Sequence, residues 1–271
     1  MPQESAVYTH GHHESVLRAH VWRTASNSAA FLLPHLKPYM TILDVGCGPG
    51  SITIDLASYV PQGKIIGLDI GQNIIDQASA AAKERGVENA EFVVGDVNAL
   101  KYPDASLDVV FAHQVLQHVG DPIQGLKEMK RVVRPGGIVA LRESDYAAMT
   151  WYPSVDGMEF WRKTYMAVAK ANGGNLEAGK LIHVWCRKAG FDMAQATCSA
   201  SVWCYSTPEE VSWWSELWAD RIVASSFAKT ALGHGLATEE DLQTIAATWR
   251  QWGKQQDAWF TVMSGEVLYH V

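Results

Sequence analysis

The chain has no run of Lys and Arg and no basic half. Its 271 residues carry 22 basic and 29 acidic side chains, a net charge of −7. Residues 1–150 hold 12 basic and 16 acidic groups, and residues 151–271 hold 10 and 13. Neither half offers the phosphate-neutralising footprint of a nucleic-acid binder or a hold on an anionic membrane. No C-x-x-C pair joins Cys47, Cys186, Cys198 and Cys204, so no zinc or thioredoxin-like motif is spelled out. A reducing, cytoplasmic compartment is the expectation. No run of roughly 18 apolar residues is present to span a bilayer. The polar stretch Met1 to Glu14 lacks the apolar core of a signal peptide. Repeats and low-complexity tracts are missing too. Charged residues make up 19% and hydrophobic ones 48%. That composition expects a large buried core and excludes a disordered chain. The length allows one large domain or two small ones.

Short apolar runs alternate with helical stretches over residues 40–143. Thr41-Ile-Leu-Asp-Val45, Lys64-Ile-Ile-Gly-Leu-Asp69, Ala90-Glu-Phe-Val-Val94, Leu107-Asp-Val-Val-Phe-Ala112 and Ile138-Val-Ala-Leu141 read as strands. Ser51–Tyr59, Gln72–Arg85 and Pro122–Arg134 read as the helices between them. Runs that are apolar throughout suit strands covered on both faces, and the alternation is that of parallel βαβ units. The expected fold is therefore α/β, an open doubly wound sheet with ligands bound beyond the carboxyl ends of the strands. Helix is expected over His13–Leu33, broken near Ser26–Ser28. It is also expected over Trp151–Ala171 and Leu176–Lys188, with a sixth strand at Phe191–Thr197. Thr207, Pro208 and Glu210 spell the entry of a helical insertion that runs to about Lys254, and Thr238 with Asp241 starts its later helix. Trp259–Tyr269 reads as the last strand. The organisation expected is one structural domain in six parts: an N-terminal cap (1–39), a cofactor-binding half (40–143), a cap insertion (144–176), a core continuation (177–206), a helical cap insertion (207–258) and a last strand (259–271).

The strongest local signal is Asp44-Val-Gly-Cys-Gly-Pro-Gly50, directly after the first strand and before a helix. Gly46, Gly48 and Gly50 let the chain turn tightly and approach a ligand, and the helix start offers free N–H groups. A merely structural turn is the plain alternative. The spacing is G-x-G-x-G, not the dinucleotide G-x-G-x-x-G/A. Asp69 ends the second strand, where a carboxylate can accept from ribose hydroxyls. Gly95-Asp96-Val97 follows the third strand, where a carboxylate can accept from an adenine amino group with Val97 beside the ring. Asp96 could equally be a turn former.

Leu43-Asp-Val-Gly-Cys-Gly-Pro-Gly50, Gly67-Leu-Asp69, Gly95-Asp96 and Val132-Val-Arg-Pro-Gly-Gly137 together resemble a class I S-adenosylmethionine-dependent methyltransferase of the UbiE/COQ5-like small-molecule subgroup. Tyr8-Thr-His-Gly-His12 and Arg18–Asn27 resemble the N-terminal cap of members acting on secondary metabolites. The resemblance implies a seven-stranded sheet with an antiparallel last strand and S-adenosylmethionine as cofactor. It implies Asp44, Gly46, Cys47, Gly48 and Gly50 near the methionyl part, Asp69 and Ile70 at the ribose, and Asp96 and Val97 near adenine. His113 and Gln114 stand at the cleft edge, and Tyr8 at the amino-acid end of the cofactor.

His113 is the candidate to orient an acceptor or take a proton. A packed ring below the lid is the alternative, and His118, one turn on, reads as structural. Arg142, Glu143 and Asp145 leave the fifth strand at the same edge, where a solvated loop competes with a substrate contact by Glu143. His10, His12, His13 and His20 cluster without a completing ligand set, so no metal is expected, and His20 is a candidate substrate contact. Ten of the eleven Trp residues lie from Trp151 onward. Most are expected in helix packing, with Trp151 and Tyr152 lining an acceptor pocket. The function expected is methyl transfer to a small apolar or aromatic acceptor, by a monomer or homodimer without nucleic-acid or membrane partners. Two alternatives stay open: a methyltransferase fold with other chemistry or a partner-subunit role, and a nicotinamide oxidoreductase.

Overall fold

A computed structural model describes residues 22–271. Seven strands form one sheet in the order β3-β2-β1-β4-β5-β7-β6. They are β1 Thr41–Val45, β2 Lys64–Asp69, β3 Ala90–Val94, β4 Leu107–His113, β5 Val133–Tyr152, β6 Ala196–Tyr205 and β7 Trp259–His270. The first five pair in parallel, and β7 runs antiparallel between β5 and β6. The helices are α1 Ala25–Ser28, α2 Ser51–Ala57, α3 Gln72–Glu84, α4 Pro122–Val132, α5 Met158–Ala171, α6 Ala178–Lys188, α7 Pro208–Ala224, α8 Ser226–Gly233 and α9 Glu239–Trp252.

Side-chain alternation puts the central strands between two aliphatic cores. Val110, Ala112, Val139, Leu141 and Val267 face α4 and α6. Val109, Phe111, Ile138, Ala140 and Leu268 face α2 and the segment holding Ala25, Ala29 and Leu32. By period-two continuation, His113, Arg142 and Glu266 stand on this second face, at the open end of the strands.

A third core is built differently. Trp161, Trp218, Trp249 and Trp252 are fully buried among Tyr165, Phe227 and Phe260 where α5, α7, α8 and α9 meet. Trp161 meets Trp218 and Trp249 edge-on at 4.8 and 4.7 Å between centroids. Capping boxes at Thr207/Glu210 and Thr238/Asp241 start α7 and α9, and Pro208 occupies the first turn of α7.

Three expectations need correction. The fifth strand does not stop near Leu141: β5 continues to Tyr152 as a ribbon paired with β7, so α5 begins only at Met158. Thr150 and Trp151, β-branched and aromatic, suit that ribbon better than a helix start. The sixth strand is Ala196–Tyr205, not Phe191–Thr197, because Asp192 caps a short 3₁₀ turn first. The helix expected to end at Leu33 is, within the described residues, one turn at Ala25–Ser28 and a 3₁₀ turn at Leu33–His35, the latter entered through Pro34.

Candidate active site

The turn after β1 is built by glycines in left-handed conformations: Gly46 at φ 67°, Gly48 at 54° and Gly50 at 81°. A side chain on Gly46 would also collide with Val115 at 2.4 Å. The Gly46 and Cys47 N–H groups donate to the Leu68 carbonyl, which ties the turn to β2. Asp69 braces it from the same strand, its two oxygens accepting from the Gly48 and Gly71 N–H groups, each at 3.1 Å.

Asp44 lies beneath the turn. It is buried and accepts from Thr53 Oγ1 at 2.6 Å. Burial pushes its pKa up to about 7; the Thr53 bond pulls against this and the Asp69 charge adds to it. Cys47 is buried as well, and burial with the neighbouring carboxylates pushes its thiol well up. Asp44 and Cys47 thus shape the turn from below.

The rim differs. Asp69 is partly exposed, and Ile70 beside it is 70% exposed, the largest exposure among the big apolar side chains of the described residues. Asp96 is exposed and accepts from Asn98 N–H, while Val97 packs beneath it in the core. The rim therefore presents one carboxylate at β2, an uncovered aliphatic face next to it and a second carboxylate after β3. That donor and surface set fits an adenosyl group: acceptors for hydroxyl and amino protons, and an apolar wall for a flat base.

At the end of β4, Gln114 holds φ 55°, a left-handed backbone that non-glycine residues rarely adopt. Its N–H donates to the Arg142 carbonyl and its side chain accepts from Arg23 Nη2. His113 is buried, with Nε2 2.7 Å from Arg142 Nη1. A guanidinium only donates, so Nε2 accepts and the neutral ring carries its proton on Nδ1. His118 has its pKa pushed down to about 3 by burial and by the Arg23 cation, so it stays neutral.

The charges leaving β5 are not solvated. Arg142, Glu143 and Asp145 are all buried. Glu143 is 0% exposed and its oxygens accept from the Val115, Leu116 and Gln117 N–H groups at 2.9, 2.8 and 3.2 Å. Burial pushes it up to about 7, against those three donors and the Arg142 cation. The expected substrate contact by Glu143 is thereby corrected: the carboxyl holds the loop that carries Gln114. Trp151 and Tyr152 lie on the β5–β7 ribbon. Trp151 stacks on Phe260 in the cap core, and Tyr152, 58% exposed, sits at the tip of the β5–β7 ribbon. Tyr8, His20 and the other N-terminal histidines lie outside the described residues. Within those residues no three His, Cys, Asp or Glu side chains gather as a metal site requires, and no helix is long and apolar enough to cross a membrane.

Sequence reasoning missed an aromatic wall along β6 and the end of β4. Trp203 lies 5.4 Å from the His113 ring, with Arg142 4.5 Å above its face, and donates its indole N–H to the Asn27 carbonyl. Tyr205 stacks on Trp214 at 4.2 Å and leans on Trp22. The signal was the period-two series Ser199, Ser201, Trp203, Tyr205, which places all four on one face of β6. Ser199 and Ser201 accordingly donate to Glu266, which pairs with Arg142 at 3.4 Å.

A family described as "Methyltransferase domain" matches residues 36–216. The chain is 31% identical to an uncharacterized methyltransferase of Schizosaccharomyces pombe, over 99% of this chain and 98% of that one. It is 40% identical to the demethylmenaquinone methyltransferase of Lactococcus lactis subsp. lactis, over 42% of this chain and 45% of that one. The crystal structure of the YcgJ protein from Bacillus subtilis shares its fold with a TM-score of 0.57 at 19% identity, covering 88% of this chain and 95% of the other. The strand–glycine turn–helix, the two rim carboxylates and the family and full-length matches agree: the chain belongs to the class I S-adenosylmethionine-dependent methyltransferases.

Proposed function

We propose that the protein methylates a small apolar or aromatic organic acceptor, as a step of secondary metabolism. One observation carries the acceptor class. A continuous aromatic wall runs from His113 through Trp203 and Trp22 to Tyr205 and Trp214, at the same open strand end as the glycine turn. Flat apolar molecules are held by such surfaces at little conformational cost.

When bound, S-adenosylmethionine supplies a methyl group activated by a sulfonium charge. Asp69 takes the ribose hydroxyls, Ile70 covers one face of the base, and Asp96 accepts from its amino group. Gln114, fixed by Arg23 and by Glu143 through the adjoining loop, marks the boundary between cofactor and acceptor. His113 acts as a positioning ring. Its accepting nitrogen is already engaged by Arg142, so it keeps the guanidinium in place and does not collect the acceptor's proton. The cap, packed over the open strand ends, excludes water and aligns the acceptor, which is the main contribution a protein makes to a displacement of this type.

Methyl-labelled S-adenosylmethionine with a panel of aromatic acids, phenols and amines tests the reading. Label should enter at least one of them, and S-adenosylhomocysteine should raise the melting temperature where NAD(P) does not. Tight S-adenosylhomocysteine binding with no label transfer to any acceptor would favour non-methylating chemistry on the same fold.

A further inference from the structure

Arg221 is the most anomalous charge in the molecule. It lies on α7 and is 4% exposed, with its guanidinium carbon 4.6 Å over the Trp218 ring. Within the described residues it has no carboxylate partner, and its buried Nε has no hydrogen-bond partner. A desolvated cation–π contact is worth roughly 2 kcal/mol. An unpaired buried ion costs several kcal/mol even after relaxation. The ring alone does not balance the charge.

Two more open donors stand on the same wall. The Tyr205 hydroxyl is buried without a partner, and so is Arg142 Nη2. The rings are contiguous: Tyr205 stacks on Trp214, Trp214 meets Trp218 edge-on at 5.8 Å, and Arg221 caps Trp218. Burial keeps the Tyr205 phenol protonated and therefore a donor, and the charges of Arg23, Arg142 and Arg221 all act on it. Glu266 compensates Arg142 and Arg23 is engaged by Gln114, whereas Arg221 has neither a carboxylate nor a partner at Nε. A guanidinium with Nε open offers the planar two-pronged edge that a carboxylate matches.

We propose that the acceptor is an aromatic molecule bearing a carboxylate, seated on the indole wall with its anion held by Arg221 and approached by the Tyr205 hydroxyl. This rests on the methyltransferase reading above for the word acceptor, while the anion site itself does not. Such a seat also orders the ligand, since one end is fixed by charge and the ring lies against Trp214.

The test uses the full chain saturated with S-adenosylhomocysteine, with 2-naphthoate and its uncharged counterpart 2-naphthamide as probes read by quenching of Trp fluorescence. Naphthoate should bind tenfold or more tighter than the amide, as expected for a charge-assisted pair of about 1.5–3 kcal/mol. Arg221→Met should bring that ratio to about one, Arg221→Lys should keep part of it, and Tyr205→Phe should lower it several-fold. The S-adenosylhomocysteine isotherm should stay unchanged in all three variants, which also reports that they fold. If wild type holds both probes alike or neither at millimolar concentration, or if the ratio survives in Arg221→Met, the anion site is wrong. Should Arg221→Met fail to fold, the wild-type ratio and Tyr205→Phe still decide. Absence of S-adenosylhomocysteine heat in wild type would instead sink the methyltransferase reading and leave the naphthoate preference to be judged alone.

Discussion

The cofactor half and the cap solve burial in opposite ways. Around β1 to β4 the core is aliphatic, and the functional groups sit within two or three residues of a strand end: Gly46 after β1, Ile70 after β2, Asp96 after β3, Gln114 after β4. Backbone geometry does most of the binding there. The cap core is aromatic, and its functional wall joins residues far apart in the chain, Trp22, Arg142, Trp203, Tyr205 and Arg221. In the function proposed above, one region recognises through turns, the other through side chains packed from four separate segments. A cofactor shared by a family can be held by the first arrangement, while an acceptor peculiar to one member calls for the second.

The comparison can be broken by mutation. The largest effect is expected at Trp161, whose ring meets Trp218, Trp249 and Phe260. Trp161→Ala should cost about 3–5 kcal/mol in urea unfolding. If the loss were small, the cap would not be a packed core. Next is Glu143. Removing its carboxyl strands three buried N–H groups, so Glu143→Ala should cost about 3 kcal/mol or more, with Glu143→Gln milder because its amide oxygen still accepts. A destabilisation equal for both variants would show that the charge, not the acceptor, matters. Asp69→Ala follows, weakening S-adenosylhomocysteine by about 1–3 kcal/mol in calorimetry while leaving acceptor probes unaffected. Unchanged affinity would remove β2 from the cofactor site.

A further test is a pH dependence carried by the cofactor half. Asp44 and Glu143 hold their protons up to about pH 7 when folded, against 3.8 and 4.5 when unfolded. Between those values the native state binds more protons, so stability falls as pH rises. This contribution is fully present below about pH 4 and lost above about pH 7. Thermal unfolding from pH 4.5 to 8 should show the decline, and Asp44→Asn should flatten it.

The cofactor half was legible because its signals are local. Asp44 to Gly50 names a turn whose glycines must be left-handed, and alternation of strand and helix names the sheet. The charged residues after β5 misled because Arg142-Glu-Ser-Asp145 looks like a solvated loop by composition. The three N–H groups of residues 115–117, with the Arg142 cation, explain why Glu143 goes inside. Trp151 and Tyr152 fall on the β5–β7 ribbon, an extension that the apolar run ending at Leu141 does not announce. Arg221 was visible in principle, since it falls three residues after Trp218 and seven after Trp214 on the buried stripe of α7. Its significance needed the absence of a partner carboxylate, which no single segment reveals.

The position of β7 sets an order of events during synthesis. β6 pairs only with β7, and Ser199 and Ser201 reach Glu266 from that neighbour. Strands β1 to β5 form their parallel ladders with one another alone, so a nascent chain can pair them while residues 259–270 are still inside the ribosome, and β7 then completes the cores on both faces. The edge strand bearing Trp203 and Tyr205 joins the sheet only when those twelve residues slide in beside β5. The topology thus allows two steps, with the parallel strands paired first and the aromatic edge strand added last.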